Sequence, residues 1–248
     1  MNDAMVFGIQ VASIFFAAGL IKGLLGLGLP TLALALLSFI MAPVAAATML
    51  LIPSFATNIW QALHGSSLLA LLQRFKLMFI AVAAGTLLCS ALLVQIDPTW
   101  TRQIVGAVLI VYAIYAILSP TIRIPMCQEK LLSPIIGAMT GAVAGNTGIS
   151  VVPVVPYLQA LRLNKQELVQ AMGLSFSIST IALGLGLGVH GQLETQHLLN
   201  TSMCLIPAMI GMGVGQRIRN RISQEHLKRG LWCFLALLGL EMVLRPLL

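Results

Sequence analysis

Residues 23–30 read Gly23-Leu24-Leu25-Gly26-Leu27-Gly28-Leu29-Pro30, a glycine-proline interruption inside an otherwise apolar segment. A second version follows at Gly145-Asn146-Thr147-Gly148-Ile149-Ser150-Val151-Val152-Pro153. Glycine and proline loosen or break a helix. Within a bilayer, opened backbone survives only where protein or a water-filled cavity satisfies its polar groups. Two interruptions at corresponding points of two half-chains therefore point to a transport site. That inference needs a membrane and two halves, and the rest of the chain has to supply both.

The membrane follows from composition. Of 248 residues, 58% are hydrophobic and only 8% are charged. Soluble domains carry roughly a quarter charged residues, because their surface faces water. Lipid is the expected solvent, and one transmembrane domain is expected over residues 1–248. The net charge of +7 does not indicate nucleic acid. The basic residues lie in short connections between apolar runs, which is the pattern of membrane orientation. Cys89, Cys127, Cys204 and Cys233 are widely separated, with no CxxC or His-linked spacing. They read as packing residues, and no metal or cofactor is expected. With Asp3 and no basic stretch at the start, a cleaved signal peptide is not expected.

In order, the apolar runs cover about 5–21, 31–41, 44–63, 77–95, 99–118, 131–144, 151–161, 168–189, 198–215 and 230–248. The runs flanking each glycine break are short for a spanning helix of about 20 residues, so a hairpin or re-entrant pair is expected there. The segment 119–130, with Pro120 and Pro125, is the natural joint. Repeat 1 then covers about 5–118 and repeat 2 about 131–248. Each holds a broken helix pair plus three spanning helices, about 8–10 helical segments in an all-α polytopic protein. Gly23 and Gly26 match Gly145 and Gly148 at an offset of 122, and Ser54-Phe55 matches Ser175-Phe176 at 121. His64-Gly65 matches His190-Gly191, and Gly85 matches Gly211, both at 126.

The loop charges test orientation independently. Loop 64–76 carries Arg74 and Lys76, while its counterpart 190–197 has no Lys or Arg. Loop 96–102 carries Arg102 alone, while its counterpart 216–229 carries Arg217, Arg219, Arg221, Lys228 and Arg229. The bias reverses between equivalent loops, as inverted repeats require. With loops 64–76, 119–130, 162–167 and 216–229 inside, both termini lie outside. The two breaks then enter from opposite faces and approach each other near the midplane.

Candidate substrate-binding residues follow from this scheme. A helix restarting after Pro30 or Pro153 has unsatisfied amides and a positive dipole end, which attract anions. Gly23, Gly26, Gly28, Pro30 and Thr31 form the first break, and Gly145, Asn146, Thr147, Gly148, Ser150 and Pro153 the second. Lys22 is the one basic residue well inside an apolar run. Intramembrane charge is costly and points to function, although its long stem also permits snorkelling to an interface. Asn58, with Ser54, Thr57 and Gln61, lies within two helical turns in one half, and Ser175 with Ser177, Ser179 and Thr180 in the other. Their amides and hydroxyls suit oxyanion hydrogen bonding, though interhelical hydrogen bonding also explains such residues. Glu241 reads as an interfacial carboxylate paired with Arg245.

The order of a Gly-rich break with Pro30, a polar middle run and a second Gly-Asn-Thr-Gly break with Pro153 resembles the sulfite exporter TauE/SafE family of membrane permeases. The resemblance covers nearly the whole chain. It departs at the first break, where leucines stand among the glycines of a denser family run. It implies transport of sulfite, a sulfonate or a related sulfur-containing anion across the bacterial inner (plasma) membrane, often as export. The leading expectation is a secondary transporter for a small anion, working by alternating access, with H+ as a candidate coupling ion. Membrane lipid is the surrounding partner, and a homo-oligomer stays open. An anion channel is the alternative. An intramembrane enzyme is disfavoured by the absence of HExxH and GxSxG, so no catalytic residue is assigned. ATP-driven pumping is disfavoured by the absence of a Walker-type loop.

Overall fold

The computed structural model describes residues 3–118, 123–193, 195–221 and 223–245. Pro120, in the joint between the halves, lies outside them. The described residues form helices and connections, with no strand among them. In order they are α1 (Asp3–Leu25), α2 (Leu29–Ile40), α3 (Pro43–Leu63), α4 (Leu68–Arg74), α5 (Lys76–Gln95) and α6 (Pro98–Leu118). There follow α7 (Met126–Thr147), α8 (Val154–Ala160), α9 (Lys165–Val189), α10 (Thr195–Ile218), a 3-10 turn (Arg219–Arg221) and α11 (Gln224–Leu244). Five of them are long and apolar enough to cross a membrane: Met5–Leu25, α3, α5, α6 and α9. Large apolar side chains point outward from these helices, among them Leu88, Val111 and Leu185. Water would not tolerate so apolar an exterior, whereas lipid does. The protein is an integral, polytopic helical membrane protein.

Two expectations need correction. The run before the first break is not a short arm. Helix α1 has 23 residues, about 34 Å at 1.5 Å per residue, enough to cross a hydrocarbon core of about 30 Å. Helix α7 likewise has 22 residues and runs straight through Gly145 and Asn146. The reason is that Gly23 and Gly145 are packing glycines, as described below, so the helices end only at Leu25 and Thr147. The short elements are those after the breaks, α2 with 12 residues and α8 with seven. The connection 64–76 also contains a helix, α4, whose Leu-Leu-Ala-Leu-Leu-Gln-Arg sequence consists of strong helix formers.

The contacts sort into two units. One holds α1, α2, α6, α10, α11 and α3 as far as Pro53; the other holds α3 from Ser54 onward with α4, α5, α7, α8 and α9. In the first unit, α1 lies on α10 with no room for side chains at the crossing. A Cβ on Gly19 would strike the Ala208 carbonyl, and one on Gly23 the Met212 carbonyl. In the second unit, α7 lies on α5 the same way. A Cβ on Gly141 would sit 2.5 Å from the Val82 carbonyl oxygen, and one on Gly145 2.5 Å from that of Thr86. Small residues at four-residue spacing let membrane helices approach this closely. The two crossings correspond position by position, at an offset of 122 between α1 and α7 and 126 between α5 and α10. In both, contacts advance in the same direction along each helix, so each pair is parallel.

Helices α6 and α11, the last of each half, cross in the first unit at Gly106 and Gly239, each of which faces the other's carbonyl. Gln103 Nε2 donates to the Val243 carbonyl, and Tyr112 meets Trp232 edge-on with ring centroids 4.9 Å apart. Rising numbers on one helix meet falling numbers on the other, so this pair is antiparallel.

Candidate anion site

Each break is built around a left-handed glycine. Gly26 has φ 80° and Gly148, 122 positions later, has φ 76°. That region costs an L side chain roughly 1–2 kcal/mol, and glycine nothing. Gly28 (φ 105°) then serves as N-cap of α2. Having no side chain, it leaves the first amides of α2 without a local cap. Pro30 stands in the first turn, where its missing N–H is harmless. The hydroxyl of Thr31, a residue 1% exposed, is buried with no hydrogen-bond partner among the described residues. This restart presents the positive end of a helix dipole with the buried Thr31 hydroxyl in its first turn.

The second restart departs from expectation. Helix α8 has only seven residues, and its Val155 and Tyr157 amides already donate to the Val151 and Pro153 carbonyls. Few aligned, free amides remain after Pro153, so the dipole argument applies to α2 and not to α8. The polar groups of the second unit come instead from α7, α3 and α9. Asn146 Oδ1, Thr140 Oγ1, Ser54 Oγ and Ser175 Oγ are buried without hydrogen-bond partners among the described residues. Ser54 and Ser175 each precede a phenylalanine, 121 positions apart. Such groups are costly unless something polar meets them. The hydroxyl of Thr147 is occupied, donating to the Val143 carbonyl at 2.6 Å and accepting from the Ile149 amide at 3.1 Å. It closes the end of α7. Ser150 and Asn58 are buried, and the Asn58 carbonyl lies against Gly173 where α3 meets α9.

Lys22, in the last turn of α1, is 2% exposed. Its side chain lies within protein, which removes the alternative of an ammonium snorkelling to an interface. Neither break region holds an Asp or Glu: residues 22–41 and 131–161 have none. Nothing in either stretch opposes a negatively charged solute by like charge.

After the second break the chain folds back to where α7 began. The Tyr157 hydroxyl donates to the Glu129 carbonyl at 3.3 Å and lies 2.6 Å from Ser133 Oγ, and the Ile124 amide donates to the Ala160 carbonyl. Arg74 at the end of α4 grips Glu129 at 2.6 and 2.7 Å, a two-point pair that raises its guanidinium further above its usual value. Asn164 then starts α9 with a capping box closed by Glu167. These contacts fix both ends of the hairpin, leaving residues 148–153 to span the gap between α7 and α8. Sequence reasoning missed Thr140, whose position one residue before Gly141 placed it on the crossing helix. It also took Arg102 as a loop charge only.

Long apolar helices, chain breaks at paired glycines and buried polar groups without partners define a membrane permease rather than a membrane anchor. The chain belongs to the sulfite exporter TauE/SafE family, whose model matches residues 11–242. That is a family of transporters, which supports reading the chain as a transporter rather than an enzyme. Comparison with curated proteins and with solved structures finds no match.

Proposed function

We propose that the protein is a secondary permease that moves a small sulfur oxyanion, such as sulfite or a sulfonate, across the bacterial inner membrane. The observation that carries this is the set of buried hydroxyls without partners among the described residues, Thr31, Ser54 and Ser175, together with the left-handed Gly26 and Gly148 in break segments free of carboxylates. Hydroxyl and amide groups hold an oxyanion by hydrogen bonding while leaving it free to depart, which a carrier needs. The substrate class comes from the family. In this proposal both breaks serve one transport cycle, with alternating access around them and the two halves inverted. The antiparallel pairing of α6 with α11 and the matched parallel crossings support inversion, as does the reversed loop charge. Both termini then face outward, a proton gradient drives concentration, and an oligomer is compatible with the scheme.

The test is flux in proteoliposomes loaded with labelled sulfite or a small sulfonate. Saturable, protein-dependent movement with counterflow is the expected result. Ohmic single-channel currents would replace the carrier by a channel, and no flux of any small anion in either direction would end the transport reading.

A further inference from the structure

The end of α2, the first turns of α6 and the last turn of α11 surround a cleft of about 190 Å3 in the first unit, at the opposite end of α2 from its Gly28 N-cap. That is several times the roughly 30 Å3 of one water in the liquid, enough for a tetrahedral oxyanion. Its polar lining is Ser38, Thr99, Arg102, Glu241 and Arg245, two guanidiniums against one carboxylate. Arg102 uses Nη2 to hold the Met41 carbonyl at 3.2 Å, while its Nε is buried with no hydrogen-bond partner among the described residues. An Arg fork anchored at one corner with a buried donor left over is arranged for a second acceptor, and a planar oxyanion edge fits it. Arg245 lies 3.7 Å from Glu241, with both side chains largely exposed. Such a pair is weak and readily exchanged. The remaining groups do not compete. The Ser38 hydroxyl donates back to the Leu34 carbonyl, and the nearby Asp97 carboxylate accepts the Thr99 amide at the start of α6. That contact holds the Asp97 carboxyl below its ordinary range.

We propose that this cleft is an oxyanion site, in which Arg102 and Arg245 together grip one oxyanion and Glu241 is the carboxylate it displaces. The proposal stands apart from the transport reading, because none of its residues belongs to the breaks. The same chemistry has two sources, a free oxyanion or the phosphate of a lipid headgroup. The cleft lies at helix ends, where headgroups sit, so both are tested. The unfolding midpoint of the full-length protein in detergent is followed against sodium sulfate, with sodium chloride at matched ionic strength as control. In a parallel titration, dioctanoyl phosphatidylglycerol is compared with dioctanoylglycerol, which lacks the phosphate. A saturable rise with sulfate or with the phospholipid is expected, and the responding probe names the source. Arg102→Gln and Arg245→Gln should each raise the half-saturating concentration about tenfold. Glu241→Gln should lower it, a change of opposite sign that loss of packing does not produce. Arg102 also ties α6 to the end of α2, so Arg245→Gln carries the test if Arg102→Gln fails to fold. No saturable shift with either probe overturns the proposal, as does a shift that survives the arginine substitutions.

Discussion

Asn146 carries the sharpest expectation at the scale of single residues. Its Oδ1 is buried without a hydrogen-bond partner among the described residues, two positions before the left-handed Gly148. If its Nδ2 donates to the substrate oxyanion, Asn146→Ala raises the half-saturating anion concentration about tenfold while folded yield stays near wild type. Equal loss of yield and affinity would place it in packing instead. Lys22 supplies a second test. Buried at the end of α1, it is the basic residue of the first break region, and Lys22→Gln should weaken anion binding at low and high salt alike, because a buried charge is screened little. Unchanged affinity in a titration at two ionic strengths would remove it from the site. These two residues stood out in the sequence for different reasons, an amide inside a break and a charge inside an apolar run. Thr147 stood out equally, but its hydroxyl turned out to close its own helix. A sequence displays which donors exist, but whether a donor is already occupied depends on a turn geometry it does not display.

Among the elements, the parallel helix crossings set the stability. In α10, a Cβ on Gly215 would strike the Leu20 carbonyl, whereas one on Gly213, two residues earlier, meets nothing within 4 Å. Gly215→Ala should therefore destabilise by about 1–3 kcal/mol. Gly213→Ala should be neutral or stabilise by up to about 1 kcal/mol, since alanine is the better helix former. Unfolding midpoints of the two variants in the same detergent decide this, and equal effects would mean the crossing is looser than described. The same contrast explains what the sequence concealed about the breaks. Gly23, Gly26 and Gly28 are alike in composition, yet Gly23 packs inside α1 while Gly26 and Gly28 turn the chain. Local chemistry located the interruption, but the partner helix that claims Gly23 comes from residues near 212. The arm lengths were misread for that reason, and the Arg102 cleft was missed because its walls come from three remote segments.

On the scale of the whole molecule, membrane orientation is the property that reads most directly from sequence and is most directly measured. Cys127 is exposed in the first turn of α7, next to the joint expected inside. With Cys89, Cys204 and Cys233 replaced by alanine, a membrane-impermeant maleimide should label Cys127 in inside-out vesicles and not in intact cells. Labelling from outside would invert the topology and exchange the faces assigned to both breaks. The membrane class was legible because so few residues are charged, and each loop's sign then carries the orientation argument. The division into two units was not legible, because each unit joins remote stretches of the chain and the boundary runs through α3.

That division also dictates an order of assembly during synthesis. The Val82–Gly141 contact of the second unit joins residues 59 positions apart, and all of that unit's helices are made by Val189. The first unit joins Gly19 to Ala208, 189 positions apart. At roughly 5–20 residues per second, the ribosome takes about 10–40 s to cover that separation. Helix α1, with Lys22 near its end, must therefore be held in the bilayer before the helix that crosses it exists. The insertion machinery has to shelter the first helix of this chain until almost the last has left the ribosome.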